Sequence, residues 1–442
     1  MKQRRSIVIV GGGFGGTTVT RALDGKLSAD IDLTLVSEES YTTFNPMLPE
    51  AVGASIFPEQ VVAPLREVLR PAGHRRFVMG RVTGVDAVAK TLCCQTLGGE
   101  RRLHYDHLVL AFGNRARLDL IPGMAEHALP LKTVGDALEI RNAVLRRIAR
   151  IELESDPALR RALGHFVVIG GGFSGVEVAG ELVDCLTGIQ RYYPLVRPDE
   201  LKVTVLQDFE RLLPELQHRL GAAALVSLRA RTVDVCLGAR AAQISAGGVM
   251  LASGAFIAAQ TVISTIGTRP NRLIEDLGVV TDRGRIVVEA DLRVASHEGL
   301  WALGDCALVP NAHDGKPAPP TAQFAVREAV QLARNLLATL HGRPTQAFYH
   351  RSRGMMASIG HMKGVAEVFG IPLSGLPAWL LWRAYYLSQM PTLRRKLRIF
   401  VEWTWGMFFS TDITHLRFTG SHELMRGESA TVQREPPPHA LP

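Results

Sequence analysis

The chain has 442 residues, of which 47% are hydrophobic and 21% charged, so it is long enough for two or three domains and too apolar to be disordered throughout. Its five cysteines show no C-x-x-C spacing, which argues against a disulfide framework and against a zinc site, and we expect no bound metal. The formal net charge is +8, but residues 350–400 alone carry eight Arg or Lys against one acid, so the excess belongs mainly to one segment.

The sequence IVIVGGGFGG at residues 7–16 joins a β-branched run to a glycine-rich turn and a helical pattern. Gly11, Gly13 and Gly16 fit G-x-G-x-x-G, in which the glycines allow a tight turn, the approach of a pyrophosphate and close packing of helix on strand. The first amides of the helix can bind the phosphates. The preceding six residues are too short for a signal or transit peptide. These features predict a first dinucleotide site.

The next predicted strand, in DLTLVSEES, ends at Ser37 and Glu38. A carboxylate at this place usually holds the adenosine ribose of the dinucleotide. We therefore take Glu38 as the ribose ligand, with Ser37 as the open alternative.

A second turn of the same kind lies in HFVVIGGGFSGVEVAGEL at residues 165–182, where the three glycines are Gly170, Gly172 and Gly175. Its second strand ends at Gln207, which we take as the ribose ligand, although Asp208 follows directly. A neutral amide does not repel the 2′-phosphate of NADPH as a carboxylate does, and Arg211 is close in sequence. Two complete units predict two dinucleotides, and the second unit leaves NADPH open beside NADH.

Three further stretches place small residues after apolar strands: LVLAFGNRAR with Gly113, TVISTIGTRPN with Gly267, and GLWALGDCALVP with Asp305. Together with the opening turn they resemble the FAD/NAD(P)H two-dinucleotide flavoprotein superfamily. The resemblance implies FAD at the first turn, Asp305 on the flavin ribitol, and NAD(P)H at the second turn.

The expected fold is α/β, with two doubly wound, Rossmann-like domains of the glutathione-reductase type followed by an amphipathic helical segment. The FAD domain would comprise residues 1–116 and 289–346. An NAD(P)H domain at 117–288 would interrupt it, and residues 347–442 would anchor the chain to a membrane.

The electron acceptor separates members of this superfamily. Disulfide reductases have a cysteine pair near the start of the chain, and the corresponding stretch SEESYTTFNPMLPEAVG has none. No cysteine pair is placed as in sulfide:quinone oxidoreductases. We interpret Cys306, beside Asp305, as a small buried side chain. The chain instead resembles the type II NADH:quinone oxidoreductases almost end to end, most specifically in PPTAQFAVREAVQLARNL and in the stretch from SIGHMKGVAEVFG to RRKLRIFVEW. The resemblance implies transfer of two electrons from NAD(P)H through FAD to a membrane quinone without proton pumping, and a homodimer is common in that family.

Two residues carry the predicted quinone chemistry. Gln323, in the first turn of a helix from Thr321 to His341, can hydrogen-bond a quinone carbonyl or the flavin edge, or it only caps the helix. Glu177, expected in the first turn of the second nucleotide helix, is either a proton relay to the quinone or a surface carboxylate favoured by the helix dipole. Glu181 shares its face and, by the resemblance, contacts the nicotinamide nucleotide.

The C-terminal segment predicts a membrane surface as partner. TLRRKLRIFVEWTWGMFF sets one apolar and one basic face on a helix, and Ile371–Met390 is broken by Pro377 and Arg383. We expect an interfacial helix with tryptophans at headgroup depth, docked on the cytoplasmic face of a bacterial inner membrane, and no nucleic-acid partner. A core or dimer helix is one alternative. Another is a soluble NAD(P)H-dependent FAD oxidoreductase or redox sensor whose basic face binds nucleic acid or a protein.

Overall fold

The computed structural model describes residues 4–69, 74–295, 297–390, 392–409 and 413–416. The helices of this part of the chain are α1 Phe14–Leu23, α2 Leu48–Val52, α3 Leu65–Val68, α4 Met124–His127, α5 Val134–Ile151, α6 Pro157–Leu163, α7 Phe173–Ile189, α8 His218–Arg229, α9 Ala322–Leu340, α10 Leu376–Gln389 and α11 Leu393–Gly406.

The strand before the first glycine turn lies in the middle of a large sheet. In hydrogen-bonded order its strands are Leu300–Ala302, His107–Leu110, Arg5–Val10, Ile31–Ser37, Arg75–Asp86, Thr91–Thr96 and Gly99–His104. The first five run parallel, and the last two form antiparallel hairpins. Residues 7–10 are buried, as expected for a parallel strand covered on both faces. The pairing of Leu300–Ala302 with His107–Leu110 shows that chain segments far apart in sequence build this one sheet.

The strand before the second glycine turn lies in the middle of a separate parallel sheet. Its order is Ala128–Pro130, Thr261–Ser264, His165–Ile169, Lys202–Leu206 and Asp234–Cys236. All of these strands fall within the predicted 117–288 unit, while the boundaries at 116, 288 and 346 stay predictions.

The smaller sheets join and cover these two. They are Ala241–Ser245 with Gly248–Leu251 and Phe256–Ala258; Thr268–Pro270 with Asn114–Ala116; Thr281–Asp282 with Arg285–Val287 and Ala307–Leu308; Tyr41–Thr43 with Val62–Pro64; and Gly354–Ser358 with Gly364–Val368 and Ile371–Ser374.

The C-terminal unit consists of the sheet Gly354–Ser358, Gly364–Val368 and Ile371–Ser374 with helices α10 and α11. It packs against α7. A Cβ atom at Gly180 would overlap the carbonyl of Ile359, so helix and C-terminal sheet meet at backbone distance. Arg231 bonds the same carbonyl at 2.6 Å and pairs with Asp184 at 2.9 Å. One hydrophobic cluster contains Leu182 of α7 together with Trp403 of α11. The described part of the predicted membrane segment therefore contributes side chains to a shared core.

Candidate active site

The two glycine turns have nearly the same geometry. Gly11 and Gly170 have φ of +115° and +110°, a region open to glycine and strained for other residues. A Cβ atom at Gly16 would overlap the carbonyl oxygen of Gly11, and one at Gly175 would overlap that of Gly170. The third glycine of each turn is therefore required for the helix to pack against the strand end.

Both turns fit a dinucleotide pyrophosphate. The second glycines, Gly13 and Gly172, are the N-caps of α1 and α7, and neither provides a side-chain cap. A Cβ atom at either would have no atom within 4 Å, so this side of each turn is open. An open approach to uncapped helix amides is the arrangement that binds phosphate groups.

The residues after the second strands differ between the units. Ser37 lies against Gly12, and Glu38 beyond it is paired with Arg115 at 2.7 Å and Arg81 at 3.3 Å. Both candidates for the ribose of the first dinucleotide thus lie beside its glycine turn, and the choice between them stays a prediction.

Gln207 occupies in the second unit the place that Ser37 has in the first. Its side-chain oxygen accepts a hydrogen bond from the amide of Gly171 at 2.9 Å, and its amide donates to the carbonyl of Arg211 at 3.2 Å. Gln207 is buried, whereas Asp208 is exposed. Both polar ends of Gln207 hold the turn, and the choice between Gln207 and Asp208 as the ribose ligand stays a prediction.

Asp305 lies mostly buried where the two sheets approach each other. Burial raises its pKa, while Lys132 and Arg285 nearby lower it. Lys132 follows the edge strand of the second sheet, is itself largely buried, and donates to Asn114 at 2.5 Å. The sequence reading missed Lys132, although its place directly after an apolar strand was a usable signal.

Glu328 is a second residue that the sequence reading missed. This buried carboxyl on α9 accepts a hydrogen bond from the amide of Gly304 at 2.7 Å and so holds the turn that carries Asp305. Burial raises the pKa of Glu328 to about 7, against the opposing effects of that amide and of Arg285.

The other predicted positions lie on turns and at a helix start. Gly113 and Gly267 have φ of +65° and +77°, which favours glycine at both. Gln323 is the second residue of α9 and is half-buried. The side chain of Thr321 caps this helix by accepting from the amide of Phe324 at 3.5 Å, so capping is assigned to Thr321.

Glu177 and Glu181 belong to a group of buried or largely buried charged side chains, Glu50, Glu177, Glu181 and Arg383, which we call the buried seam. Glu177 is the fifth residue of α7 and lies in its second turn, so our placement in the first turn was wrong; the helix starts at Phe173, directly after Gly172. The side chain of Glu177 accepts from the amide of Ser358 at 3.1 Å. Burial raises its pKa well above the usual 4.5, and Glu50 and Glu181 add to that rise.

Glu181 lies one helical turn further along the same face. Its carboxylate accepts a hydrogen bond from the hydroxyl of Ser55, and its pKa is raised to about 8 by burial and by the negative charge of Glu50. It is nine residues past Gly172, or about 13 Å along the helix axis. Its role at the nicotinamide nucleotide stays a prediction, while its contacts in the structure are with the seam.

The third carboxyl of the seam, Glu50 of α2, was not anticipated. It accepts from the indole nitrogen of Trp403 at 3.0 Å and lies 3.8 Å from a guanidinium nitrogen of Arg383. Arg383 is held between two indole rings, 3.7 Å from the centroid of Trp379 and 4.8 Å from that of Trp403. The buried seam therefore joins three carboxyls to one cation.

A row of aromatic rings runs from the first glycine turn to this seam. Phe14 of α1 contacts Phe44 with ring centroids 5.3 Å apart, and Phe44 contacts Tyr386 at 5.6 Å. Trp382 then lies 4.7 Å from Tyr386 and 6.0 Å from Trp403. The row connects the predicted flavin turn with α10 and α11 through apolar, planar side chains.

The predicted tryptophans at headgroup depth are mostly inside the protein. Trp379 and Trp403 are buried against Arg383, and Trp382 is buried against Tyr386 and Trp403, so that expectation was wrong for them. Among the four, only Trp405 is exposed. The apolar face of α11 is exposed, with Leu393, Leu397, Phe400 and Val401 each more than half accessible. None of the helices in the described ranges has the length and apolar character needed to cross a bilayer.

In the described ranges, no group of three or more His, Cys, Asp and Glu side chains could hold a metal ion. Cys306 is buried, its thiol donates to the carbonyl of Leu303 at 3.1 Å, and burial raises its pKa to about 12. A buried, protonated thiol is unreactive.

Fold and site together define a two-dinucleotide oxidoreductase, and the comparisons agree. The profile described as pyridine nucleotide-disulphide oxidoreductase matches residues 5–329, and that of the NDH2 C-terminal domain matches residues 352–412. The type II NADH:quinone oxidoreductase NdhA of Mycobacterium tuberculosis is 30% identical over 92% of this chain and 87% of its own length; Ndh of the same organism is 28% identical over 96% and 92%. NDH2 of Plasmodium falciparum, solved in complex with NADH, has the same fold, with a TM-score of 0.86 over 93% of this chain and all of that one at 19% identity. This chain belongs to the type II NADH:quinone oxidoreductase family.

Proposed function

We propose that the protein oxidises NADH and reduces a membrane quinone, with FAD at the first glycine turn and NADH at the second, without pumping protons. The observation that carries this proposal is the course of α7. The helix begins at the open, uncapped second turn and places Glu177 and Glu181 in the buried seam under the C-terminal unit. A nucleotide site and a proton-holding site are thus linked by one rigid element.

The residues of the first site suit a flavin dinucleotide. The turn from Gly11 to Gly16 offers open amides for the pyrophosphate, Ser37 or Glu38 would hold the ribose, and Asp305 would bind the ribitol, with Lys132 partly neutralising its charge. When bound, FAD supplies the redox chemistry by taking a hydride from NADH and passing two electrons to the quinone.

The protein's own part in the quinone step is to supply a proton and a hydrogen bond. The overall reaction, NADH + H⁺ + quinone → NAD⁺ + quinol, takes one proton from water. Glu177 is the proposed donor because it is buried, and burial raises its pKa and so favours the protonated form that a donor needs. Gln323, at the open end of α9, would hold a quinone carbonyl in place.

The exposed face of α11 supports attachment to a membrane surface. Its four exposed apolar side chains would each gain roughly 1.5–3 kcal/mol on burial before ordering costs. Arg394 and Arg398 on the same helix would each add about 1 kcal/mol near anionic lipid. We propose the cytoplasmic face of a bacterial inner membrane as the location, and a homodimer as the assembled form.

The test is turnover by the purified protein in detergent. We expect an extractable flavin, bleaching of its absorbance on addition of NADH, and rapid reoxidation by a short-chain quinone. A flavin that NADH reduces but quinone fails to reoxidise would reject the proposal and favour the redox sensor. The same assay with NADPH in place of NADH tests the nucleotide preference. Light scattering of the purified protein tests the homodimer.

A further inference from the structure

The buried seam holds more acid than its single proposed proton donor requires. Glu50 comes from α2, Glu177 and Glu181 come from α7, and α10 contributes Arg383. All three carboxyls are less than one-tenth exposed. If all were ionised, the seam would hold three negative charges against one positive charge in a medium of low dielectric, which is strongly unfavourable. At least one proton must therefore stay in the seam.

The contacts separate the three carboxyls into two roles. Glu177 is bonded to the C-terminal sheet through the amide of Ser358 and lies close to Tyr386 in the aromatic row. Glu181 lies against the end of α2, because a Cβ atom at Gly53 would be 2.9 Å from its carboxylate oxygen, and Glu50 lies three residues before that glycine. The negative charge of Glu50 raises the pKa of Glu181, and Arg383, 3.8 Å from Glu50, lowers the pKa of both. Arg383 is the cation that acts on both Glu50 and Glu181, whereas Arg231 is paired with Asp184, the next acid on α7, at 2.9 Å.

Ser55 provides a route from this pair toward water. Its hydroxyl donates to Glu181, and Ser55 is half-buried while its neighbours Ala54 and Ile56 are buried. A hydroxyl both donates and accepts, so it can pass a proton between Glu181 and solvent.

We propose that Glu50 and Glu181 share a proton and that this pair is the store that reprotonates Glu177 after it has protonated the quinone. The step balances: Glu177 loses its proton to a quinone oxygen, the shared proton moves to Glu177 along one face of α7, and the pair regains a proton from water through Ser55. Positions i and i+4 of a helix are adjacent, so the transfer distance is short. The inference rests on the proposed function for its destination, but the shared proton can be measured without quinone.

The groups that set the proton affinity of Glu181 act in opposite directions. Burial and the negative charges of Glu50 and Asp184 raise the pKa of Glu181, whereas the Ser55 hydroxyl and Arg383 lower it. The neighbouring Cys185 thiol stays protonated because burial raises its pKa to about 12. Removing Glu50 should therefore shift the titration to lower pH, and removing the Ser55 hydroxyl should shift it to higher pH. A residue that only supports packing would give neither opposed shift.

The first measurement is the stability of the FAD-loaded protein as a function of pH. The folded protein binds the proton of Glu181 more tightly than the unfolded chain, so the free energy of unfolding should fall as pH rises from about 4.5 to about 8. We call this fall in the free energy of unfolding the stability limb. We expect the stability limb to move to lower pH in Glu50→Gln and to higher pH in Ser55→Ala. It should stay in place in Glu126→Gln, a control at an exposed site.

The second measurement is stopped-flow reoxidation of the reduced protein by a short-chain quinone. Glu50→Gln should slow this half-reaction by about tenfold, less than loss of the donor itself, because Glu181 remains. The rate of flavin reduction by NADH should be unchanged. The pH dependence of the reoxidation rate should shift in each variant in the same direction as the stability limb.

The outcomes separate the inference from the proposed function. Wild-type turnover with quinone, together with an unmoved stability limb in Glu50→Gln, would overturn the inference alone. A wild type that quinone fails to reoxidise would overturn the proposed function and the destination of the proton with it. If Glu50→Gln does not fold, Ser55→Ala decides, and the absence of a shift to higher pH rejects the shared proton.

Discussion

The two glycine turns are alike in backbone and different in what their helices carry. Gly16 and Gly175 are required for the same reason, and both second glycines are open. At the places on α1 that correspond to Glu177 and Glu181 of α7, the chain has Thr18 and Ala22. The first unit is therefore equipped to hold a dinucleotide, whereas the second also carries acid groups into the core. The shared turn gives binding, and the residues that follow it give chemistry.

The largest expected effect breaks each turn in the same way. Gly16→Ala and Gly175→Ala each force a Cβ atom onto a backbone carbonyl, which costs about 1–3 kcal/mol or more of overpacking. We expect Gly16→Ala to lose bound flavin, and Gly175→Ala to keep flavin but lose its reduction by NADH. Flavin absorbance after gel filtration and anaerobic NADH titration measure these outcomes. Loss of flavin in both variants would contradict the assignment of the second turn to NADH.

The next effect tests what α7 carries beyond its turn. Glu177→Gln removes the proposed proton donor but keeps the shape and the acceptor for the Ser358 amide. We expect reoxidation by quinone to slow by about 100-fold with reduction by NADH unchanged. The control Glu139→Gln, at an exposed site on α5, should leave both rates alone. Equal loss in both half-reactions would assign Glu177 to the nucleotide side.

A smaller effect separates the buried seam from the exposed face of α11. Phe400→Asp places a charge on that face, and we expect about tenfold weaker binding to anionic liposomes, with NADH oxidation by a water-soluble acceptor retained. Leu153→Asp is the control, because Leu153 is an apolar side chain even more exposed than Phe400 and far from α11 in sequence. If both variants bound liposomes equally, α11 would not be a membrane-binding helix, and its exposed apolar face would belong to a dimer interface or to internal packing.

The smallest effect sharpens the difference between the two strand ends. Gln207→Glu puts a carboxylate beside the second turn, where it can still accept from Gly171 but can no longer donate to Arg211. We expect the preference for NADH over NADPH to rise several-fold in kcat/KM, because a carboxylate repels the 2′-phosphate. Asp208→Asn is the companion variant. If it alone changes the preference, Asp208 holds the ribose.

Local sequence was enough to predict the turns and the amphipathic helix. Gly16 and Gly175 meet the carbonyl oxygens of Gly11 and Gly170, five residues earlier, so a motif of six positions specifies this contact. The same holds for Gln323 at the start of α9 and for the apolar stripe of α11, because a helical period is visible in the residues themselves.

The seam could not be predicted because its members are far apart in the chain. Glu50, Glu181 and Arg383 lie on three helices, and only their packing brings the carboxyls within reach of one cation. Periodicity also could not say which tryptophans face lipid, since an apolar side chain fits a core and a membrane equally well, and packing placed Trp403 on Glu50. Sequence determined the two nucleotide turns through backbone sterics, which are local. The tertiary structure decided the proton affinity of the acids, because burial and charge depend on every element that surrounds them.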